Sequence, residues 1–171
     1  NGYAYVLDRR TGQLLRAHNF VYVNWAEKVD VGGTDRPVKV KAHSVFAIDK
    51  AVQACPSAMG GKDQQPVAVD PNNPKIFYVP TNQWCMEDTP LKRTSTQQGS
   101  GYAFANVYMY EREPGVAGQF QAFNVDTGQI VWKIPDKYPT WSGALVTDGG
   151  LAFYGALNGD FRAVDMKTGK I

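Results

Sequence analysis

Cysteine and histidine are scarce in this 171-residue chain, with two of each. Cys55 and Cys85 stand too far apart for a CxxC redox or zinc motif, which leaves a single disulfide or two unrelated buried thiols. His18 and His43 have no carboxylate or Cys neighbour at ligand spacing, so both read as structural or surface residues, not metal ligands. No apolar run approaches the ~20 residues that span a bilayer. A net charge of +2, with Lys and Arg spread along the whole chain, argues for neither nucleic acid nor an anionic membrane as partner. A Gly-rich phosphate loop and a nucleophile elbow are both missing. So is a charged-then-apolar leader, and with Asn as first residue the start reads as processed or truncated.

What is present is ordinary globular composition, 43% hydrophobic and 20% charged, over a length that suits one domain, 1–171. Seventeen Gly and ten Pro fall between short apolar runs, which favours many strands and turns. One pattern recurs: small or apolar, any residue, Asp or Asn, two residues, Thr-Gly, Gln or Lys, Leu or Ile. It runs from Val6 to Leu14, from Ala122 to Ile130 and from Ala163 to Ile171, with a weaker copy from Ala68 to Ile76 that has Asn-Pro for Thr-Gly. The physics is that of a hairpin. A strand ends at Asp or Asn, whose side chain accepts bonds from backbone N–H groups just ahead. Glycine then takes a positive φ, and a new strand begins at once.

Asn124 and Asp165 lie 41 residues apart, close to one four-stranded propeller blade. The earlier gaps, 62 and 54, imply two blades with insertions around 17–60 and 80–118, the second including Lys92-Arg93-Thr94-Ser95-Thr96-Gln97-Gln98-Gly99-Ser100-Gly101. Such long loops are usually functional or mobile. In the copy at 122 the new strand carries Trp132, which can lie flat on a neighbouring glycine peptide; Arg16 and Tyr78 take that place in two other copies. Strands are predicted at 3–8, 13–16, 66–70, 75–80, 102–109, 118–124, 129–134, 142–147, 150–155 and 160–165, with a short helix near 46–54. The uneven spacing favours a stretch of a larger ring over a closed ring of four.

The repeat with its Trp resembles the tryptophan-docking motif of the eight-bladed quinoprotein dehydrogenases. Three more stretches carry the likeness. Cys55-Pro56-Ser57-Ala58-Met59-Gly60-Gly61-Lys62-Asp63-Gln64-Gln65-Pro66 resembles the segment lining the pyrroloquinoline quinone (PQQ) pocket of methanol dehydrogenase large subunits. Phe77-Tyr78-Val79-Pro80-Thr81-Asn82-Gln83-Trp84-Cys85-Met86 resembles the strand with its partner cysteine. Trp141-Ser142-Gly143-Ala144-Leu145 and Gly149-Gly150-Leu151-Ala152-Phe153-Tyr154-Gly155 resemble a blade with a cofactor-contacting Trp. The resemblance covers essentially the whole chain but only about a third of a family member.

The resemblance implies an all-β chain forming about three to four blades of an eight-bladed β-propeller. It also implies a reaction: a bound metal polarises the quinone, an Asp acts as general base, hydride passes from a small primary alcohol to PQQ, and electrons leave to a soluble cytochrome c. The metal, a lanthanide ion or Ca2+, and the catalytic Asp belong to residues outside this chain; an Arg that contacts the quinone is expected immediately before Asn1. The remaining partners implied are the rest of the large subunit and a second copy in a homodimer. Cys55–Cys85 becomes a disulfide, which requires an oxidising compartment such as the periplasm.

Three residues are candidates for cofactor contact. Asp63 falls where the family places an Asn or Asp against the quinone edge, and the Gly-Gly-Lys-Asp-Gln-Gln form resembles the lanthanide type; otherwise it caps a turn. Trp141 offers its indole N–H to a PQQ carboxylate, or else packs between blades. Lys62 pairs with Asp63 or with a PQQ carboxylate, or stays a solvated surface lysine. Trp25, Trp84 and Trp132 read as packing residues. Two rivals remain: a quinoprotein ethanol dehydrogenase, against which Cys55 stands, and a non-catalytic propeller scaffold, which has no need of a pocket segment.

Overall fold

The repeated turns form as the sequence predicts. In this computed structural model, which describes residues 1–44, 46–92 and 104–171, Asp8 Oδ1 accepts the N–H groups of Arg10 and Thr11 at 2.8 and 3.1 Å. Asn124 does the same for Asp126 and Thr127, and Asp165 for Lys167 and Thr168. Each turn then closes on a glycine at positive φ: Gly12 at 74°, Gly128 at 74° and Gly169 at 71°. A side chain there would strain the left-handed backbone that lets the two strands meet.

In chain order the strands are β1 (Tyr3–Leu7), β2 (Leu14–Asn19), β3 (Ala26–Val29), β4 (Pro37–Lys39), β5 (Val52–Ala54), β6 (Ala68–Asp70), β7 (Asn73–Asn82), β8 (Trp84–Pro90), β9 (Ala105–Glu111), β10 (Gly118–Asn124), β11 (Ile130–Asp136), β12 (Leu145–Val146), β13 (Leu151–Gly155) and β14 (Phe161–Asp165). A single turn of helix, α1 (Lys41–Ser44), accompanies them. Antiparallel pairing builds parts of three propeller blades: β1-β2, then the four-stranded β6-β7-β10-β11, then β12-β13-β14. The predicted Lys92–Gly101 stretch, apart from Lys92, and the first two residues of the strand expected at 102–109 lie outside the described residues.

Two expectations are corrected. The weaker copy at Ala68–Ile76 is not equivalent to the other three. Its turn is capped alike, by Asp70 on Asn72 and Asn73, but it joins β6 to β7, the first two strands of the blade whose last two strands meet at Asn124. The gaps of 62 and 54 are therefore not blade lengths: the first insertion lies between β2 of one blade and β6 of the next, and the second lies inside that next blade, between β7 and β10. The helix expected near 46–54 is absent: Asp49 takes a positive φ of 59°, and Val52–Ala54 is a strand with Val52 and Ala54 buried around an exposed Gln53. The helix turn falls earlier, at α1.

The insertions pack on each other. β3 pairs β4, while β5, from the first insertion, pairs β8 of the second, and β9 completes that sheet. The Cys55–Cys85 disulfide joins the same two segments. Within the first insertion Asn24 holds Cys55 in place, since its Oδ1 accepts the Cys55 N–H at 2.7 Å.

Blade packs on blade through aromatics. Phe120 stacks on Tyr154 at 4.2 Å between ring centres, with Tyr78, Ala122, Ala152 and Val164 around them. Trp132 lies on the Gly169 peptide, where an added Cβ would come within 3.0 Å of its ring, and its indole N–H donates to Met166 O at 2.9 Å. The preceding joint uses a different residue. His18 packs on Gly128 and its Nε2 is 3.2 Å from Asp126 O, so an imidazole does there what the indole does at the next joint. Arg16, at the Trp position of the repeat, instead reaches the Asp126 carboxylate, which Lys75 also holds.

The buried Tyr78 hydroxyl bonds Met166 O across the same joint, at 3.3 Å. Burial, followed by the charge of Asp70, pushes this phenol up to about 12. A group raised above its unfolded value of ~10 contributes stability that is complete below that value and lost as pH rises through the folded one. Alkaline unfolding between about pH 10 and 12 is therefore expected to shift to higher pH in Tyr78→Phe. An unchanged alkaline midpoint by circular dichroism would refute the link.

Candidate cofactor site

β7 is buried from Tyr78 to its end at Asn82, so its last residue is carried to the interior together with its polar side chain. Three segments meet there. The first is the loop after Cys55, whose Cys55–Pro56 bond is cis. Ser57 N–H donates to Trp84 O at 2.8 Å, and Gly60, at a φ of 73°, turns the chain back with its N–H on Ser57 O. Gly61 lies against Val21 with no room for a side chain. The second segment is the end of β7: Asn82 N–H donates to Gly61 O at 2.9 Å and its Nδ2 reaches Gly60 O at 3.5 Å. The third is the loop from Asp136 to Leu145, where the Trp141 indole N–H donates to Asn82 Oδ1 at 3.2 Å.

That third loop is pinned from several sides. Asp136 is buried and paired with Arg162 Nη1 at 2.6 Å, and Arg162 also donates to the Tyr154 hydroxyl at 2.9 Å. Gly118 lets the Tyr138–Thr140 backbone pass against it. At the far end Ala144 N–H donates to Pro66 O at 2.9 Å, and a Cβ on Gly143 would meet Pro66. The pocket loop and the Trp141 loop are thus joined at two places, through Asn82 of β7 and directly at Pro66.

Of the predicted residues, Trp141 is 53% exposed, and with its N–H engaged by Asn82 it presents its ring to solvent. Asp63 is exposed, with its N–H held by Gln65 Oε1 at 2.8 Å. Lys62 is half-buried; its Nζ donates to the Asp63 backbone oxygen at 2.8 Å and makes no ion pair with that carboxylate. Burial pushes the Lys62 ammonium down, against the opposing pull of the Asp63 charge. Its stem lines an apolar cleft of roughly 620 Å3 with Val6, Phe77, Val79 and Phe123. The structure connects Asp63 and Trp141 through Gly60, Gly61 and Asn82, not by direct contact. Among the described residues no group of three or more His, Cys, Asp or Glu is placed to hold a metal ion.

Sequence reasoning missed Asn82, although a signal existed. Thr81-Asn82-Gln83 continues an apolar strand with polar residues, and a polar residue kept in a buried strand needs partners. Gln65, 3% exposed in the pocket loop, was missed too; its Oε1 holds the Asp63 N–H.

PQQ is a planar tricarboxylate, and the groups here suit it: an exposed ring, an ammonium with donors to spare, and glycines that keep the loop backbone close. The fold defines the class as a partial β-propeller, with one blade joint docked by a tryptophan and the preceding one by a histidine. No family model matches the chain. Over its full length it is 47% identical to the lanthanide-dependent methanol dehydrogenase of Methylacidiphilum fumariolicum (strain SolV), of which it covers 28%. It is 33% identical to methanol dehydrogenase (cytochrome c) subunit 1 of Paracoccus denitrificans, with the same coverage of both. The solved structure of a europium-containing methanol dehydrogenase superposes with a TM-score of 0.90 at 46% identity, covering 99% of this chain and 30% of that one. The chain spans under a third of the length of these relatives, and over that stretch it is similar to them throughout.

Proposed function

We propose that this chain forms one wall of the PQQ pocket in a periplasmic, metal-dependent dehydrogenase that oxidises a small primary alcohol, methanol first, to its aldehyde. The observation that carries the reading is the meeting of the Gly60–Gly61 turn and the Trp141 indole on one buried side chain, Asn82. When bound, PQQ supplies the hydride acceptor, and a metal ion beside it the Lewis acid. The chain's own part is to bind and orient. Trp141 offers its ring, Lys62 an ammonium for a carboxylate, and Asp63 a hydrogen-bond partner for the quinone edge. The metal falls to residues outside this chain.

A lanthanide in place of Ca2+ is supported by the greater likeness to the lanthanide-dependent relative. Asp63 suits that choice, since a trivalent ion tolerates one more nearby carboxylate than calcium does. A soluble cytochrome c as electron acceptor accords with the name of the Paracoccus relative. The disulfide suits the periplasm. Assembly with the rest of the large subunit, and of that subunit as a homodimer, completes the reading.

Reconstitution of the full-length, cofactor-free protein with PQQ and either La3+ or Ca2+ tests it. A quinone absorption band and dye-linked methanol oxidation are expected, with at least tenfold more activity in La3+, a difference of about 1.4 kcal/mol. No band under either metal would overturn the assignment. Activity with Ca2+ alone would remove Asp63 as a lanthanide marker.

A further inference from the structure

Asn82 ends the longest strand of the complete blade and is 1% exposed. A buried carboxamide needs partners for both its oxygen and its nitrogen. Here both partners lie on walls of the candidate site, Trp141 on one side and Gly60 on the other. We propose that Asn82 is a positioning residue of the cofactor pocket, one side chain that fixes both the Trp141 ring and the turn leading into Lys62 and Asp63. The inference rests on the reading that these walls face PQQ.

The two walls need such a device. An indole that is more than half exposed has few packing neighbours to hold its torsions, so the bond on its N–H selects the rotamer. The Gly60–Gly61 turn has no side chains of its own with which to anchor. Backbone and carboxamide bonds to Asn82 do that instead. The second attachment, at Pro66, lies beyond Asp63 along the loop, so Lys62 and Asp63 hang between two fixed points. Releasing one point leaves a hinge, and an ordered pocket must then be formed at the expense of ligand affinity.

The test uses the full-length protein with Asn82→Leu, which keeps the branching and heavy-atom count and removes the bonds, Asn82→Asp, which keeps an acceptor for the indole, and Trp141→Phe. Two quantities are read: the Trp141 indole N–H resonance in cofactor-free protein, assigned by its loss in Trp141→Phe, and the PQQ dissociation constant. Asn82→Leu is expected to shift or broaden that resonance alone among the indoles and to weaken PQQ binding about tenfold. Asn82→Asp is expected to keep the resonance in place. In a Trp141→Phe background the Asn82→Leu loss should shrink to about twofold, since the shared bond is already gone and only the carboxamide bond to Gly60 O is left to lose.

If Trp141→Phe weakens PQQ binding and Asn82→Leu does not, the positioning role is overturned while the pocket reading stands. If neither changes PQQ affinity, the pocket reading falls and takes this proposal with it. Should Asn82→Leu fail to fold, loss of the resonance in Asn82→Asp would by itself overturn the role.

Discussion

Trp132→Ala is expected to destabilise the full-length protein by about 3 kcal/mol, the lower end of the range for a buried Trp, because this ring is only half-buried. Three interactions go at once. The ring leaves the Gly169 peptide, its packing against Tyr78 and Phe120 at 5.7 and 5.9 Å is lost, and Met166 O loses the indole donor. The same carbonyl keeps only the longer bond from Tyr78, so the buried acceptor is poorly satisfied. Gly169→Ala approaches the joint from the other side: a methyl group would meet the ring at 2.8 Å, on a backbone at a φ of 71°. His18→Ala, at the preceding joint, should cost less, about 1–2 kcal/mol, because an imidazole covers less surface than an indole. Denaturant midpoints give all three values. A Trp132→Ala loss below about 1 kcal/mol would mean the blades are held by something other than the docked ring.

Replacing both Cys55 and Cys85 by Ala is expected to cost about 3–4 kcal/mol through the entropy of the unfolded chain, given a loop separation of 30 residues. The folded state gives up little. β5 still pairs β8 at Val52–Asp88, Gln53–Glu87 and Ala54–Met86, Ser57 still donates to Trp84 O, and Asn24 still brackets Cys55. Both sulfurs are buried, so Ala at each adds only a small cavity. The bridge therefore acts mainly by keeping the two insertions near each other when the chain is unfolded. Urea denaturation of the oxidised protein and of the double variant measures the difference. A loss under about 1 kcal/mol would show that the paired strands alone suffice.

How much of this was legible in the sequence depends on how far the deciding interactions reach. The caps at Asp8, Asn124 and Asp165 bond N–H groups two and three residues ahead, so residue type and spacing are enough to predict them. The same locality explains the misread copy. Asp70 caps its turn as the others do, and only the pairing of β6 with β7 shows that this turn belongs to a different pair of strands in the blade. The helix placed at 46–54 failed because the partner of Val52–Ala54 lies more than thirty residues on, in β8. Lys62, Asp63 and Trp141 were reached through resemblance. Asn82, which joins their segments, was not, because its bonds run to residues 22 and 59 positions away.

By itself, then, the sequence determined where strands end, which residues turn the chain, and which blade presents a Trp for docking, since short-range sterics and hydrogen bonds decide those. Only the tertiary structure decided that His18 does the docking at the first joint, that the two insertions pair through β5 and β8, and that the pocket loop and the indole meet on Asn82. Those outcomes depend on groups distant in the chain competing for the same buried partners, and no local pattern records who wins.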